Sequence, residues 1–316
     1  MKRFVQVGAK WACWLTTLCA ALFILWSVVW IGFYRYVLHH LPLTPPCTAA
    51  KLSELEPIFN QPFTFFDYTA PGDQHGALDL FISEDGRYVI KIFLPRDPHL
   101  TSYQRLPLIR TLTAYRKQLK EQKRRYYGCV TAYSLMPKAC GLLYYHLAPS
   151  PGLFNRTVTL IDKEGAKRAL DLDQDNYILQ RKAVVASAYL KECMAQERLD
   201  KAKRGVADLL AFILCFQRQG VMIPDLMVHR NFGFIDEKVI RLDVEYLCFR
   251  AKPNKRDERH MKSHLALFRA WLNAHTSHEV VDFFDREVQR MGITLVGKKA
   301  VANPSFLLQD LIKSST

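Results

Sequence analysis

The sequence predicts an α+β protein: an N-terminal transmembrane helix, then a strand-rich lobe, then a helix-rich lobe, with a cleft between the two lobes. Three observations lead there. A long stretch near the N-terminus holds no charged residue, short strand-like runs follow up to about residue 180, and apolar residues then recur at helical spacing to about residue 291. The chain has 316 residues, 49% of them hydrophobic, enough to bury a substantial core in one large or two small units. Its 44 Lys and Arg against 30 Asp and Glu give a formal charge of +14, which suits a phosphate-bearing ligand, an anionic lipid surface, or plain solubility beside a membrane.

Residues 11–34, WACWLTTLCAALFILWSVVWIGFY, are 24 uncharged positions between Lys10 and Arg35, long enough to cross a bilayer as a helix. Trp11, Trp14, Trp30, Phe33 and Tyr34 stand near its ends like an interfacial belt. No small-residue cleavage site follows, so the segment reads as a retained single-pass anchor in the lipid bilayer. Lys2, Arg3 and Lys10 precede it, which puts the N-terminus in the cytoplasm and, by the same rule, the main domain outside. The segments are therefore 1–36 as N-terminus and anchor, 37–60 as a Pro-rich linker with one helical turn at Ala49 to Leu55, 61–180 as the strand-rich lobe and 181–316 as the helical lobe.

Ala77 to Ile82 and Tyr88 to Phe93 read as strands joined by the Glu84-Asp85-Gly86 turn. In the second strand Tyr88, Ile90 and Ile92 share one face, which leaves Lys91 with Val89 and Phe93 on the other. An amine on an apolar face either meets an anion or reaches out to solvent. A helix is expected from about Thr101 to Tyr127, ending in a basic run, Lys117 to Arg125, whose only acid is Glu121; it is either a solvated face or a contact for anionic lipid. Strands resume at Gly141 to Leu147, Thr157 to Ile161, Lys167 to Leu172 and Asn176 to Gln180. Helices are then expected over Lys182 to Arg198, Leu199 to Arg218, His260 to Ala274 and Glu279 to Met291. Cys215 and Cys248 stand in apolar context and read as buried thiols; His260 and His264, four apart, read as a solvated face rather than a metal pair.

Between the second and third of these helices lies IPDLMVHRNFGFIDEKVIRLDVEYL, residues 223–247. It carries Asp225, Asn231 and Asp243, the last inside the apolar run Ile240-Arg241-Leu242-Asp243-Val244, where a carboxylate needs a cation or a donor beside it. Asp225 and Asn231 have a plainer use as turn formers.

With the YVIKIF strand at residues 88–93, this segment resembles the protein-kinase-like superfamily, which includes protein kinases and aminoglycoside phosphotransferases. The resemblance spans about Pro71 to Met291. It implies that Asp225 is the catalytic-loop aspartate, that Asn231 and Asp243 hold magnesium, that Lys91 contacts the nucleotide phosphates, and that Gly72 and Gly76, in Pro71-Gly72-Asp73-Gln74-His75-Gly76, belong to the phosphate-covering loop. Mg-ATP would be the cofactor. Asp225 and Asp243 are 18 positions apart, as in that family, but Asn231 follows Asp225 by six positions where the family has five. The glycine loop is short of glycines, no His-Arg pair precedes Asp225, and Glu121 is the one candidate for the helix acid that pairs with the strand lysine. The segment order, including Gly141-Leu142-Leu143-Tyr144 and Ile178 to Lys182, is also similar to kinase-like membrane proteins of chlamydia-type bacteria.

Two expectations follow from the resemblance. One is a membrane-anchored phosphotransferase; the other is a pseudokinase, a catalytically inactive scaffold of the same fold for protein or lipid. A domain on the outside of a bacterial membrane meets no ATP, which favours the second. A basic protein that recognises anionic lipid through Lys117 to Arg125 is a third reading, and nucleic acid is not the expected partner.

Overall fold

The computed structural model describes residues 14, 17–33, 36, 43–66, 78–93, 108–223, 225–249, 255–293 and 295. Residues 17–33 are helical. Among the described residues no helix is long and apolar enough to cross a membrane. Positions 11–13, 15, 16 and 34 of the expected anchor lie outside the described residues, as do Gly72 and Gly76.

Apolar and β-branched runs build a seven-stranded sheet from β1 (Phe63–Phe65), β2 (Leu78–Ser83), β3 (Tyr88–Phe93), β4 (Leu142–His146), β5 (Thr157–Ile161), β6 (Lys167–Asp171) and β7 (Tyr177–Arg181). The order is β4-β7-β3-β2-β1-β5-β6. All neighbours are antiparallel except β1 and β5. Strand β3 lies inside the sheet between β7 and β2, and its alternation behaves as the pattern predicts: Ile90 and Ile92 pack with helix α1 (Ala49–Phe59) on one side of the sheet, while Phe93 packs on the other.

Helix α1 occupies residues assigned from sequence to the linker. Thr48 caps it, and Leu55, Ile58 and Phe59 are buried against Phe63 and Phe81. Burying that face stabilises by several kcal/mol, of order 2 per fully buried large side chain. The packed unit therefore begins before Gln61.

The other side of the sheet takes α2 (Leu108–Leu135), which runs eight residues past its expected end at Tyr127. Nothing in the sequence stops it earlier, and Pro137 opens a separate turn just beyond it. Tyr126, Cys129 and Ala132 are its core-facing residues. Arg116 lies 3.9 Å over the ring of Trp26 and Lys123 lies 5.5 Å from that of Phe33, so α2 also carries the 17–33 helix.

After Arg181 the chain leaves this sheet, and β8 (Val184–Val185) pairs with β10 (Phe232–Ile235), which pairs in turn with β11 (Lys238–Arg241). That pairing uses the residues expected to begin a long helix, so α3 spans only Ala186–Ala195. Helices α4 (Leu199–Arg218), α5 (Lys255–His275) and α6 (His278–Arg290) complete the second lobe, with α6 packed on α4 and α5. The last strands, β9 (Val221–Met222) and β12 (Cys248–Phe249), pair beneath the cleft. Cys215 is exposed and Cys248 half-buried; among the described residues the buried thiols are Cys129, Cys140 and Cys193. His264 is also buried, because it shares a stripe of α5 with Met261, Leu265 and Phe268.

Candidate functional site

Lys91 sits on β3 where the sheet meets the β10–β11 hairpin of the second lobe, and its Nζ donates to the carbonyl of Leu242 at 2.7 Å. Burial pushes its ammonium pKa down, while the carboxylates of Asp243 and then Glu245 oppose that shift. Lys91 and the segment holding Asp243 thus meet where the sheet joins the second lobe.

Asp243 is not inside a strand. The strand ends at Arg241, the chain bends at Leu242, and Asp243 follows with 27% of its side chain exposed. One carboxylate oxygen accepts the Glu245 amide at 3.2 Å, and the other lies 3.8 Å from the Arg241 guanidinium. One amide and a more distant cation leave part of that carboxylate exposed.

Between Asp225 and Asn231 the chain makes a helical turn, Val228–Asn231, in which the amides of Arg230 and Asn231 both bond to Met227 O. His229 stacks on Trp271 of α5 with ring centroids 5.3 Å apart, which pins the turn to the second lobe. Burial, with His275 and Lys191 adding, pushes the His229 pKa down to about 4, so the ring is neutral at pH 7. Asn231 O accepts the Leu242 amide at 2.9 Å and Asn231 Nδ2 donates to Asp225 O at 3.2 Å. Asp225, Asn231 and Asp243 are therefore linked through backbone contacts, and Asp225 itself is exposed.

Arg241 joins these pieces. It is 2% exposed, its Nε donates to Asp243 O at 2.6 Å, its Nη2 donates to Asp225 O at 2.8 Å, and the guanidinium lies 4.8 Å over the Phe232 ring. The sequence held the signal: an arginine between Ile240 and Leu242 is as costly to bury as the aspartate two positions on.

On the opposite wall Arg125 of α2 is buried, not part of the surface basic run, and its Nε pairs with the Glu245 carboxylate. Lys117, Lys120 and Arg124 are the members of that run left exposed. Glu121, the expected partner of Lys91, instead accepts the Tyr246 hydroxyl at 2.5 Å. Between these contacts Gly128 meets the 244–245 backbone so closely that a methyl group there would overlap the Glu245 carbonyl. Helix α2 thus grips residues 244–246 at successive turns. Arg125 and Glu245 were missed because their partners stand 120 positions apart.

His260 lies near Asp225 electrostatically and its ring centroid is 4.4 Å from that of His264. Among the described residues no cluster of three or more metal-binding side chains forms.

No protein-family model and no curated protein matches the chain. Among solved structures it is similar to the bifunctional kinase-methyltransferase WbdD, at 12% identity and a TM-score of 0.34, over 75% of this chain and 47% of that one. It is similar to the Legionella pneumophila effector kinase LegK7, at 14% identity and a TM-score of 0.26, over 69% of this chain and 34% of that one. It is also similar to Rv3197 of Mycobacterium tuberculosis, at 15% identity and a TM-score of 0.31, over 86% of this chain and 68% of that one. The chain spans about half the length of WbdD. At these values the overlaps carry no argument about fold or function.

Proposed function

We propose that this chain binds a magnesium–nucleotide between Lys91, Asn231 and Asp243, and transfers phosphate with Asp225 as the group that orients or deprotonates an acceptor hydroxyl. The observation that supports it most is the bond from Lys91 to Leu242 O at 2.7 Å, because it sets an ammonium beside the segment that holds the half-buried Asp243 carboxylate across the lobe junction. The donor set fits the ion: a carboxylate and a side-chain amide are hard oxygen ligands of the kind magnesium takes. The bound metal would neutralise phosphate charge. Lys91 would hold the phosphates, and Arg241, through the Asp225 and Asp243 carbonyls, would keep base and metal ligand in fixed relation.

The test is thermal unfolding with Mg-ATP. At a hundred times the dissociation constant, ligand binding adds about 2.7 kcal/mol to stability, a shift of several degrees. The shift should vanish in Asp243→Asn. No shift in the native protein at millimolar nucleotide, with or without magnesium, removes the reading.

The second reading is a nucleotide-free scaffold of the same fold. What favours it is the loss of the helix acid: Glu121 is engaged by Tyr246, and Lys91 spends a proton on a carbonyl. Absence of any nucleotide effect would select it.

Attachment to a bilayer through residues 11–34 belongs to the same proposal. Leu18, Leu22, Leu25 and Val29 form an exposed apolar stripe on the 17–33 helix, and Lys117, Lys120 and Arg124 stand exposed on the neighbouring helix α2. Each such cation adds about 1 kcal/mol of attraction to an anionic leaflet. Co-sedimentation with vesicles containing phosphatidylserine should fall when those three residues become Gln; equal binding to neutral vesicles leaves the apolar stripe as the sole anchor.

A further inference from the structure

We infer that the 17–33 helix lies in the plane of a membrane surface, its aliphatic face in lipid and its opposite face on α2, and does not cross the bilayer. This geometry rests on the bilayer attachment proposed above. The helix is sorted into two faces. Ala20, Phe23, Ile24, Ser27, Trp30 and Ile31, recurring at three- and four-residue steps, are partly covered, and Ser27 is fully buried. Leu18, Leu22, Leu25 and Val29 recur at the same steps on the other side, each with more than half of its surface exposed. A helix surrounded by lipid has no covered face.

Helix α2 does the covering. Phe23, Trp26, Trp30 and Phe33 form a ladder of rings with successive centroids 6.1, 6.2 and 5.5 Å apart. Arg116 stands 3.9 Å over Trp26 and 5.8 Å from Trp30, and Lys123 stands 5.5 Å from Phe33. Arg116 and Lys123 have the same spacing in sequence as Trp26 and Phe33, so the two helices run side by side in one direction for about two turns.

That pairing excludes a span. With residues 11–34 across a bilayer, Trp26 would stand about 5 Å from the midplane, at a rise of about 1.5 Å per residue. Arg116 would be beside it, and Lys117 and Lys120 would follow into the hydrocarbon, where a cation is rare and costly. In the interface plane the same groups are well placed: α2 supplies a cationic face and the 17–33 helix an apolar one, the division that an interfacial helix makes within itself. Lys117, Lys120 and Arg124 are exposed, a charge complement to anionic headgroups. The N-terminus and the junction of Lys91 with the 242–243 segment then lie on one side of the membrane.

The experiment uses the full chain with a short epitope at each end, synthesised in the presence of sealed vesicles of phosphatidylcholine and phosphatidylserine. Protease added outside should remove both epitopes. One epitope cut and the other protected overturns the inference and leaves the attachment standing. A carbene-generating probe dissolved in the lipid, mapped by mass spectrometry, should label Leu18, Leu22, Leu25 and Val29 several-fold more than Phe23, Ser27 and Trp30. Even labelling around the helix overturns the in-plane geometry as well. Failure of the chain to sediment with these vesicles removes the attachment reading and the in-plane geometry together.

Discussion

The two walls of the cleft solve the problem of buried charge in different ways. On the α2 wall, Arg125 and Glu245 neutralise one another and are both out of solvent. On the loop wall, buried Arg241 donates to two main-chain carbonyls, and of the two acids it organises Asp225 is exposed and Asp243 half-buried. Charge paired with charge builds a rigid support. Charge paired with backbone holds a loop in place while leaving acids unneutralised, the condition a cation-binding site requires.

The contrast is broken or sharpened by substitution. The largest effect is expected from Arg125→Met, which strands Glu245 and should lower unfolding free energy by about 4 kcal/mol in urea titrations. Adding Glu245→Gln should restore most of it; a loss under 1 kcal/mol in the single variant would mean the pair is not desolvated. Next comes Arg241→Met, which leaves two carbonyls without their donor and should cost about 3 kcal/mol. A neutral outcome there would dissolve the description of the loop wall.

The third effect is a pH dependence. Burial, with His260 and Arg241 adding, pushes the His264 pKa from 6.5 down to about 3. A depressed folded value means that the unfolded chain binds the proton first. The stability this group contributes is therefore intact above about 6.5 and is lost as pH falls toward 3, with about 2 kcal/mol gone between pH 7 and pH 5. His264→Phe should flatten that slope, and an unchanged slope assigns it elsewhere. The smallest effect belongs to the exposed acid: Asp225→Asn should alter unliganded stability by no more than about 0.5 kcal/mol, and Asp243→Asn, which keeps an acceptor for the Glu245 amide, by about 1 kcal/mol or less. A larger loss would make those acids structural and erase the difference between the walls.

How much of this was legible follows from how local each signal is. Helix α4, bounded by Leu199 and Arg218, and the β5–β6 hairpin were readable because their apolar spacing and Gly-containing ends lie within one segment. The face of β3 that carries Lys91 was readable for the same reason. Helix α1 was hidden by Pro57 and the prolines before it, although the proline falls in its last turn, where the helix tolerates it against a packed core. Asp225, Asn231 and Asp243 were legible as residue types in an unusual run, and backbone bonds bring them together. Nothing local distinguished Arg125 from its basic neighbours, since its meaning lies in a glutamate that arrives much later in the chain. His264 is the reverse case: its helical phase matched the buried stripe of α5, and its polarity masked the fact.

Gly128 has a mechanical consequence. Because only a hydrogen atom fits between α2 and the main chain at 244–245, the helix cannot roll about its axis or slide by a turn without carrying that bend along. Since the same helix bears Arg116 and Lys123 against Trp26 and Phe33, the 17–33 helix and the 244–245 bend share one rigid support.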